Sequence, residues 1–298
     1  MGGGQAGLCA DRVVVITGAG RGIGRGHALA FARHGAKVVV NDLGAEVGGN
    51  GASLSPAQEV VAEIEAEGGE AVVDGHDVSD WAGAEALVAT AVEAFGRLDV
   101  LVNNAGILRD RVLVNMAEDE WDSVIRVHLK GTFATCHFAA NHWRDRVKAG
   151  EEVDGRIINT TSASGLYGAV GQANYGAAKA GIAALTIIAA EELARYGVAV
   201  NAISPGGRTR MTEPLGYGVG IPEDKFDFAD PENVAPMVVW LGSEEAKGIT
   251  GQVFQASGGT IGIEQGWHHG PEVRQKARWD PAEIGPVVRD LLAQQAAG

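Results

Sequence analysis

Two cysteines in 298 residues are too few to staple a fold. Cys9 stands in the N-terminal stretch and Cys136 in a helical pattern, so no structural disulfide is expected, and a reducing cytoplasm is the setting that fits. Basic residues are scarce as well: 24 Lys and Arg stand against 38 Asp and Glu, a formal charge of −14. That shortage excludes nucleic acid as a partner, because a phosphate backbone needs a basic face. It also means that a phosphate-bearing small molecule must be held by local groups. No apolar run is long enough to span a bilayer, so no membrane partner is expected. Met1–Gly7 has neither the basic start nor the apolar stretch of a secretion signal, and residues 1–10 read as a mobile arm. No metal site is expected.

What the chain does have is glycine, 44 residues spread along its length, and a hydrophobic content of 46%. Short apolar β-branched runs alternate with helical patterns. Val13–Ile16, Lys37–Asn41, Ala71–Asp74, Leu98–Val102, Arg156–Thr160, Val198–Ile203 and Gly251–Ala256 read as strands. Between them, helices are expected after the first glycine-rich turn and over Pro56–Glu67, Ser79–Phe95, Asp119 to about Val147, Gln172–Tyr196 and Pro231–Leu241. Apolar strands alternating with helices predict an α/β fold, a doubly wound parallel sheet of Rossmann type in a single domain over residues 11–260. Leu43–Ser55, Lys148–Gly155 and Pro205–Asp230 read as irregular, the last as a lid or a mobile connection. Residues 261–298 read as an extension packed on the domain or on a neighbouring subunit.

Thr17-Gly-Ala-Gly-Arg-Gly-Ile-Gly24 lies between the first strand and the first helix. Glycine there lets the backbone turn tightly and approach a pyrophosphate, which the helix N-terminus attracts with free N–H groups and its positive dipole end. An ordinary tight turn would need no such placement. Asp42, at the end of the second strand, can accept both ribose hydroxyls and would repel a 2′-phosphate, which favours NAD over NADP. It also suits a turn cap. Arg21 pulls the other way, since a guanidinium beside the turn can hold a 2′-phosphate.

Tyr175 and Lys179 stand one helical turn apart and project from one face. A free tyrosine, with a pKa of about 10, is a poor base near neutrality. A nearby ammonium and an oxidised nicotinamide would stabilise the phenolate. Ser162 follows the strand Arg156–Thr160, where its hydroxyl can donate to a substrate oxygen at the carboxyl edge of the sheet. Singly, each has a bland reading as a solvated helix face or a turn cap. Together, downstream of a dinucleotide turn, they read as a catalytic set.

Thr17-Gly18-x-x-x-Gly22-Ile23-Gly24, Asn103-Asn104-Ala105-Gly106, Ser162, Tyr175-x-x-x-Lys179 and Pro205-Gly206 together resemble the short-chain dehydrogenase/reductase family over about residues 11–260. The resemblance implies hydride transfer at the nicotinamide and usually a homotetramer, with a homodimer as the smaller assembly. It implies that Gly18, Arg21, Gly22, Ile23 and Gly24 meet the cofactor, that Asp77 and Val78 meet its adenine, and that Asn104, Ala105 and Gly106 line it. Lys179 would also hold the nicotinamide ribose, with Tyr175 beside it, and Gly207 and Thr209 would meet the nicotinamide end. Val39–Gly44, Asn104–Arg111, Val127–Gly131 and Gly171–Tyr175 are further similar to the (3R)-hydroxyacyl-CoA dehydrogenase domain of peroxisomal multifunctional β-oxidation enzymes and to bacterial steroid-degradation dehydrogenases. The implied substrate is an acyl-CoA or a steroid-like secondary alcohol.

One position departs from the family pattern. His128 stands where many members carry an asparagine that bends a helix and holds a water in the proton path. Histidine can bind a water too but titrates near neutrality, so His128 reads either as a relay or as a satisfied buried side chain. Arg109, Arg111, Arg208 and Arg210 can hold the phosphates of coenzyme A or pair with Asp110 and Glu213. The competing functions are an NADPH-dependent 3-oxoacyl thioester reductase, a regulator that has lost its chemistry, and an isomerase or dehydratase on the same fold.

Overall fold

Runs of Val and Ile fit the pleat of a strand buried on both faces, and each expected run forms one. The computed structural model describes residues 7–45, 48–49, 51, 53–210, 212–213, 216–222 and 224–297. The strands are β1 (Val13–Thr17), β2 (Lys37–Asn41), β3 (Glu70–Asp74), β4 (Val100–Asn103), β5 (Gly155–Thr160), β6 (Val198–Gly206), β7 (Val253–Ser257) and β8 (Thr260–Ile263). They make one sheet in the order β3-β2-β1-β4-β5-β6-β7-β8, parallel except for the β7–β8 pair. This is the expected doubly wound Rossmann-type sheet.

Helices cover both faces. On one side α1 (Gly22–Arg33), α2 (Ser55–Ala66) and α8 (Ala235–Gly242) pack around Ile16, Leu29, Phe31, Ile64 and Val239. On the other, α3 (Trp81–Phe95), α5 (Gly131–Lys148) and α7 (Ala173–Leu193) enclose Leu87, Leu101, Trp143, Ile157 and Ala190. The strand order reverses between β1 and β4, and the crevice outside the carboxyl ends of these strands is where such sheets bind ligands.

Four expectations change. The helix expected from Asp119 to about Val147 is α4 (Glu118–Ile125) and α5 joined by a π-turn over Arg126–Lys130, with His128 at its centre. A short helix, α6 (Ala163–Tyr167), follows Ser162, whose hydroxyl accepts from the Ser164 N–H. The sheet runs on through β8, so residues 261–263 belong to it rather than to the extension. Cys9 is no part of a mobile arm: it is buried, its N–H donates to His34 O at 3.1 Å and its thiol to Val239 O. Residues 1–6 of that arm, with Glu46, Val47, Asn50 and Ala52 of Leu43–Ser55 and Met211, Pro214, Leu215 and Glu223 of Pro205–Asp230, lie outside the described residues. The residues after Glu264 form a second unit, whose helix is α9 (Pro281–Ala297). Among the described residues no helix is long and apolar enough to cross a membrane.

Candidate active site

Every residue singled out above as catalytic or cofactor-binding lines a single cavity of about 520 Å³ at the carboxyl edge of the sheet. One end is the glycine-rich turn. Gly18 and Gly22 have φ of +64° and +54°, a left-handed conformation that favours glycine. A Cβ on Gly18 would lie 2.8 Å from Ala105 Cα, so the turn is pressed against the segment after β4. Asn104 clasps the two, its Nδ2 donating to Thr17 O at 3.0 Å and Gly18 O at 3.1 Å, while Thr17 Oγ1 accepts from Asn104 N and Ala105 N. Arg21 caps α1 in an extended conformation without a side-chain bond, which leaves the first-turn N–H groups to an incoming anion. The cradle, the uncapped helix end and the acid beyond β2 fit a dinucleotide.

That acid is held rigidly. Asp42 Oδ2 accepts from Gly20 N at 2.8 Å and Oδ1 from Gly44 N at 2.6 Å. The turn-cap reading therefore holds, and it does not compete with ligand binding: a carboxylate offers about four acceptor sites, and two are used. Asp77 likewise spends one oxygen on Ser79, at 2.9 Å to N and 2.6 Å to Oγ. His76, unforeseen from the sequence, also lines the cavity, with Nδ1 2.8 Å from Asp74 Oδ2. Its position just past the end of β3 is the signal that would have found it.

At the other end Ser162, Tyr175, Lys179 and His128 come together. Lys179 is 3% exposed, donates from Nζ to Thr160 O at 2.6 Å and sits 5.5 Å from the centre of the Tyr175 ring. Burial pushes its ammonium down to about 7. Burial pushes the Tyr175 phenol up from its ordinary value, the Ser162 hydroxyl pulls it back, and the Asp110 carboxylate adds a smaller upward push. In the chain by itself, then, the phenol is not lowered by Lys179, and the expected lowering falls to the ammonium and the oxidised nicotinamide together. A lysine taken out of water is itself driven toward the neutral amine, which stabilises no phenolate. A low phenol pKa therefore needs more positive charge than this chain supplies.

His128 is buried and stacks edge-on against Tyr175 with ring centres 5.1 Å apart. Its Nε2 lies 2.8 Å from Ile107 O and 3.1 Å from Ile107 N. Whichever of these bonds forms sets the tautomer, and in either case Nδ1 is left without a partner among the described residues. Burial, reinforced by the Lys179 charge and opposed by the bond to Ile107, pushes the ring down to about 3. This direction runs against the expected titration near neutrality. The ring also explains Gly106, where a Cβ would lie 2.3 Å from His128 Cε1.

The arginines are mostly engaged, but not with the acids expected. Arg111 pairs with Glu120 at 3.0 Å and Arg208 with Asp227 at 2.5 Å, while Arg109 Nε donates to Gly48 O. Asp110 is instead held by Gln172. Arg210 lines the cavity, as do Thr212 and Tyr217, whose hydroxyl lies 3.2 Å from Ser257 Oγ.

A model of the short chain dehydrogenase family matches residues 12–217, which hold the glycine turn, the Ser162–Tyr175–Lys179 set and most of the sheet. The chain belongs to the short chain dehydrogenase family. It is an NAD(P)-dependent oxidoreductase acting on CH–OH groups. This dehydrogenase is 45% identical to hydroxyacyl-CoA dehydrogenase ChsB1 of Mycobacterium tuberculosis, over 95% of its own length and 89% of the relative's. It is 43% identical to the peroxisomal multifunctional enzyme type 2 of Mus musculus over 93% of its own length, but spans only 34% of that larger protein. A crystal structure of a short chain dehydrogenase from Mycobacterium avium matches it with a TM-score of 0.87 and 57% identity, over 97% of this chain and 96% of that one.

Proposed function

We propose that this dehydrogenase oxidises a secondary alcohol on a 3-hydroxyacyl-CoA or a steroid-like skeleton, with NAD as hydride acceptor and Tyr175 as general base. The observation that carries the substrate class is the near-full-length match to a relative named for hydroxyacyl-CoA. A nicotinamide held between the glycine turn and Lys179 would supply the hydride acceptor for the carbinol carbon. Ser162 donates to the substrate oxygen and orients it. Tyr175, as phenolate, takes the hydroxyl proton. The protonated fraction of Lys179, together with the positive charge that an oxidised nicotinamide would bring, supports that phenolate, and His128, held neutral by burial, adds a ring Nδ1 without a partner among the described residues.

The preference for NAD rests on Asp42. Like charges about 4 Å apart near a protein surface repel by roughly 4 kcal/mol, and a 2′-phosphate would meet that repulsion at a carboxylate fixed by two backbone bonds. Arg21 is exposed, so its opposing attraction is screened by solvent. Arg21 is the one observation in favour of an NADPH-dependent 3-oxoacyl thioester reductase. The aromatic group of Trp81, Phe133, His137 and Phe138, with Trp81 and Phe133 exposed, supports assembly as a homotetramer or homodimer.

The test follows reduced-nicotinamide absorbance with (3R)- and (3S)-hydroxyacyl-CoAs and steroid alcohols, with NAD and NADP side by side. Tyr175→Phe is expected to cost about 10²–10⁴ in kcat, and chemistry-limited oxidation is expected to quicken as pH rises and phenolate accumulates. Undiminished turnover in Tyr175→Phe, or a flat pH profile, sinks the mechanism. An acyl thioester lacking the adenosine phosphate part with an unchanged KM removes the arginines from substrate binding.

A further inference from the structure

The residue before the catalytic tyrosine has no role in the chemistry above, yet it is among the most fully bonded side chains in the molecule. Asn174 is entirely buried. Its Nδ2 donates to Arg109 O and to Glu120 O, each at 2.9 Å, and its Oδ1 accepts from Tyr175 N at 2.7 Å. Both amide hydrogens and the amide oxygen are in use. The Arg109 carbonyl belongs to the segment between β4 and α4 and the Glu120 carbonyl to the first turn of α4, a stretch that is also tied to the ring of His128 through Ile107. The same stretch meets the residues leading into α7 at two further points. Arg111 N donates to Gly171 O at 2.8 Å, and Gln172 Nε2 to Asp110 Oδ2 at 2.8 Å.

We propose that Asn174 is a positioning residue for the proton-transfer step: it locks Tyr175 to the segment 107–120, so that the phenol and the His128 ring are set against each other through one stretch of backbone. This rests on Tyr175 being the general base. Asparagine alone meets the geometry. Aspartate has an acceptor for Tyr175 N but turns two donors into acceptors facing carbonyl oxygens. Serine has one donor on too short an arm, and glutamine carries the amide a methylene too far. Loss of the two donors frees the segment from the helix start. Tyr175 then loses its set distance from Ser162 and Lys179, on the far side of the cavity from the glycine turn.

The experiment is steady-state kinetics and a kcat–pH profile for Asn174→Ala, with reduced-cofactor binding measured by fluorescence and Tyr175→Phe run in parallel. Misplacement of a reacting group by about 1 Å costs on the order of 10²-fold, so kcat is expected to fall by that order. The alkaline limb is expected to move to higher pH, with cofactor affinity unchanged. A folded Asn174→Ala with unaltered kcat and pH profile, and merely a lower Tm, overturns the proposal. If that variant does not fold, Asn174→Ser, which keeps an oxygen beside Tyr175 N, is judged by the same two readings. Failure of the general-base reading shows separately, as turnover in Tyr175→Phe.

Discussion

His27 and His128 are buried alike, at 0% and 1% exposure, and burial pushes both rings down to about 3. Their surroundings differ. His27 lies in the middle of α1, and neither ring nitrogen has a hydrogen-bond partner among the described residues. His128 lies in a π-turn, has one nitrogen on the Ile107 backbone, faces the Tyr175 ring edge-on and feels the Lys179 charge. A displaced pKa is thus common to a core histidine and a site histidine. What separates them is the connection to other functional groups, which burial by itself does not report.

The largest expected break in that comparison is kinetic. His128→Leu is expected to lower kcat by about 10²-fold, the lower range for a group that assists proton transfer, while His27→Leu leaves it unchanged. His128→Asn, which keeps a donor and an acceptor, is expected to fall between His128→Leu and the parent. Equal kcat in the two leucine variants would remove His128 from the proton path.

Stability should move in opposite directions. His27→Leu removes two unsatisfied ring nitrogens from the core and is expected to add about 1–3 kcal/mol, read as a higher urea midpoint. His128→Leu leaves the buried backbone of Ile107 without its ring partner and is expected to lower the midpoint. A destabilised His27→Leu would mean that the ring is satisfied in solution.

The last way to test the comparison is the pH slope of stability. Both histidines have a folded pKa below the ordinary 6.5, so the unfolded chain binds more protons between pH 6.5 and about 3. Stability therefore falls as pH drops through that window, by up to about 1.4 kcal/mol per pH unit for each ring. Each leucine variant should remove one proton from the slope measured by denaturant titration. A slope unchanged in His27→Leu would show that its ring is not held neutral.

Much of this site was legible because it is built from local signals. The turn Gly18–Gly24, the acid Asp42 and the pair Tyr175/Lys179 each follow from spacing within one element and its neighbour. Their placement at strand ends follows from the alternation of apolar strands and helices. The break of the Asp119–Val147 stretch at His128 was not legible in the helical pattern, which runs on through the π-turn where the ring meets Ile107. Neither was β8, whose pairing depends on where β7 ends. The arginine partners were missed for a similar reason: Glu120 and Asp227 become neighbours of Arg111 and Arg208 through loop paths that have no periodicity.

By itself the sequence determined the parallel part of the sheet, the glycine-rich cradle and the candidate reacting side chains, since these depend on residue type at short spacing. The tertiary structure alone decided how those side chains behave. Burial of Lys179 drives it toward the amine, burial of Tyr175 raises the phenol, and the fold brings Asn174 onto the carbonyls of Arg109 and Glu120. Desolvation and long-range hydrogen bonds depend on what surrounds a group in space, and no stretch of sequence contains that information.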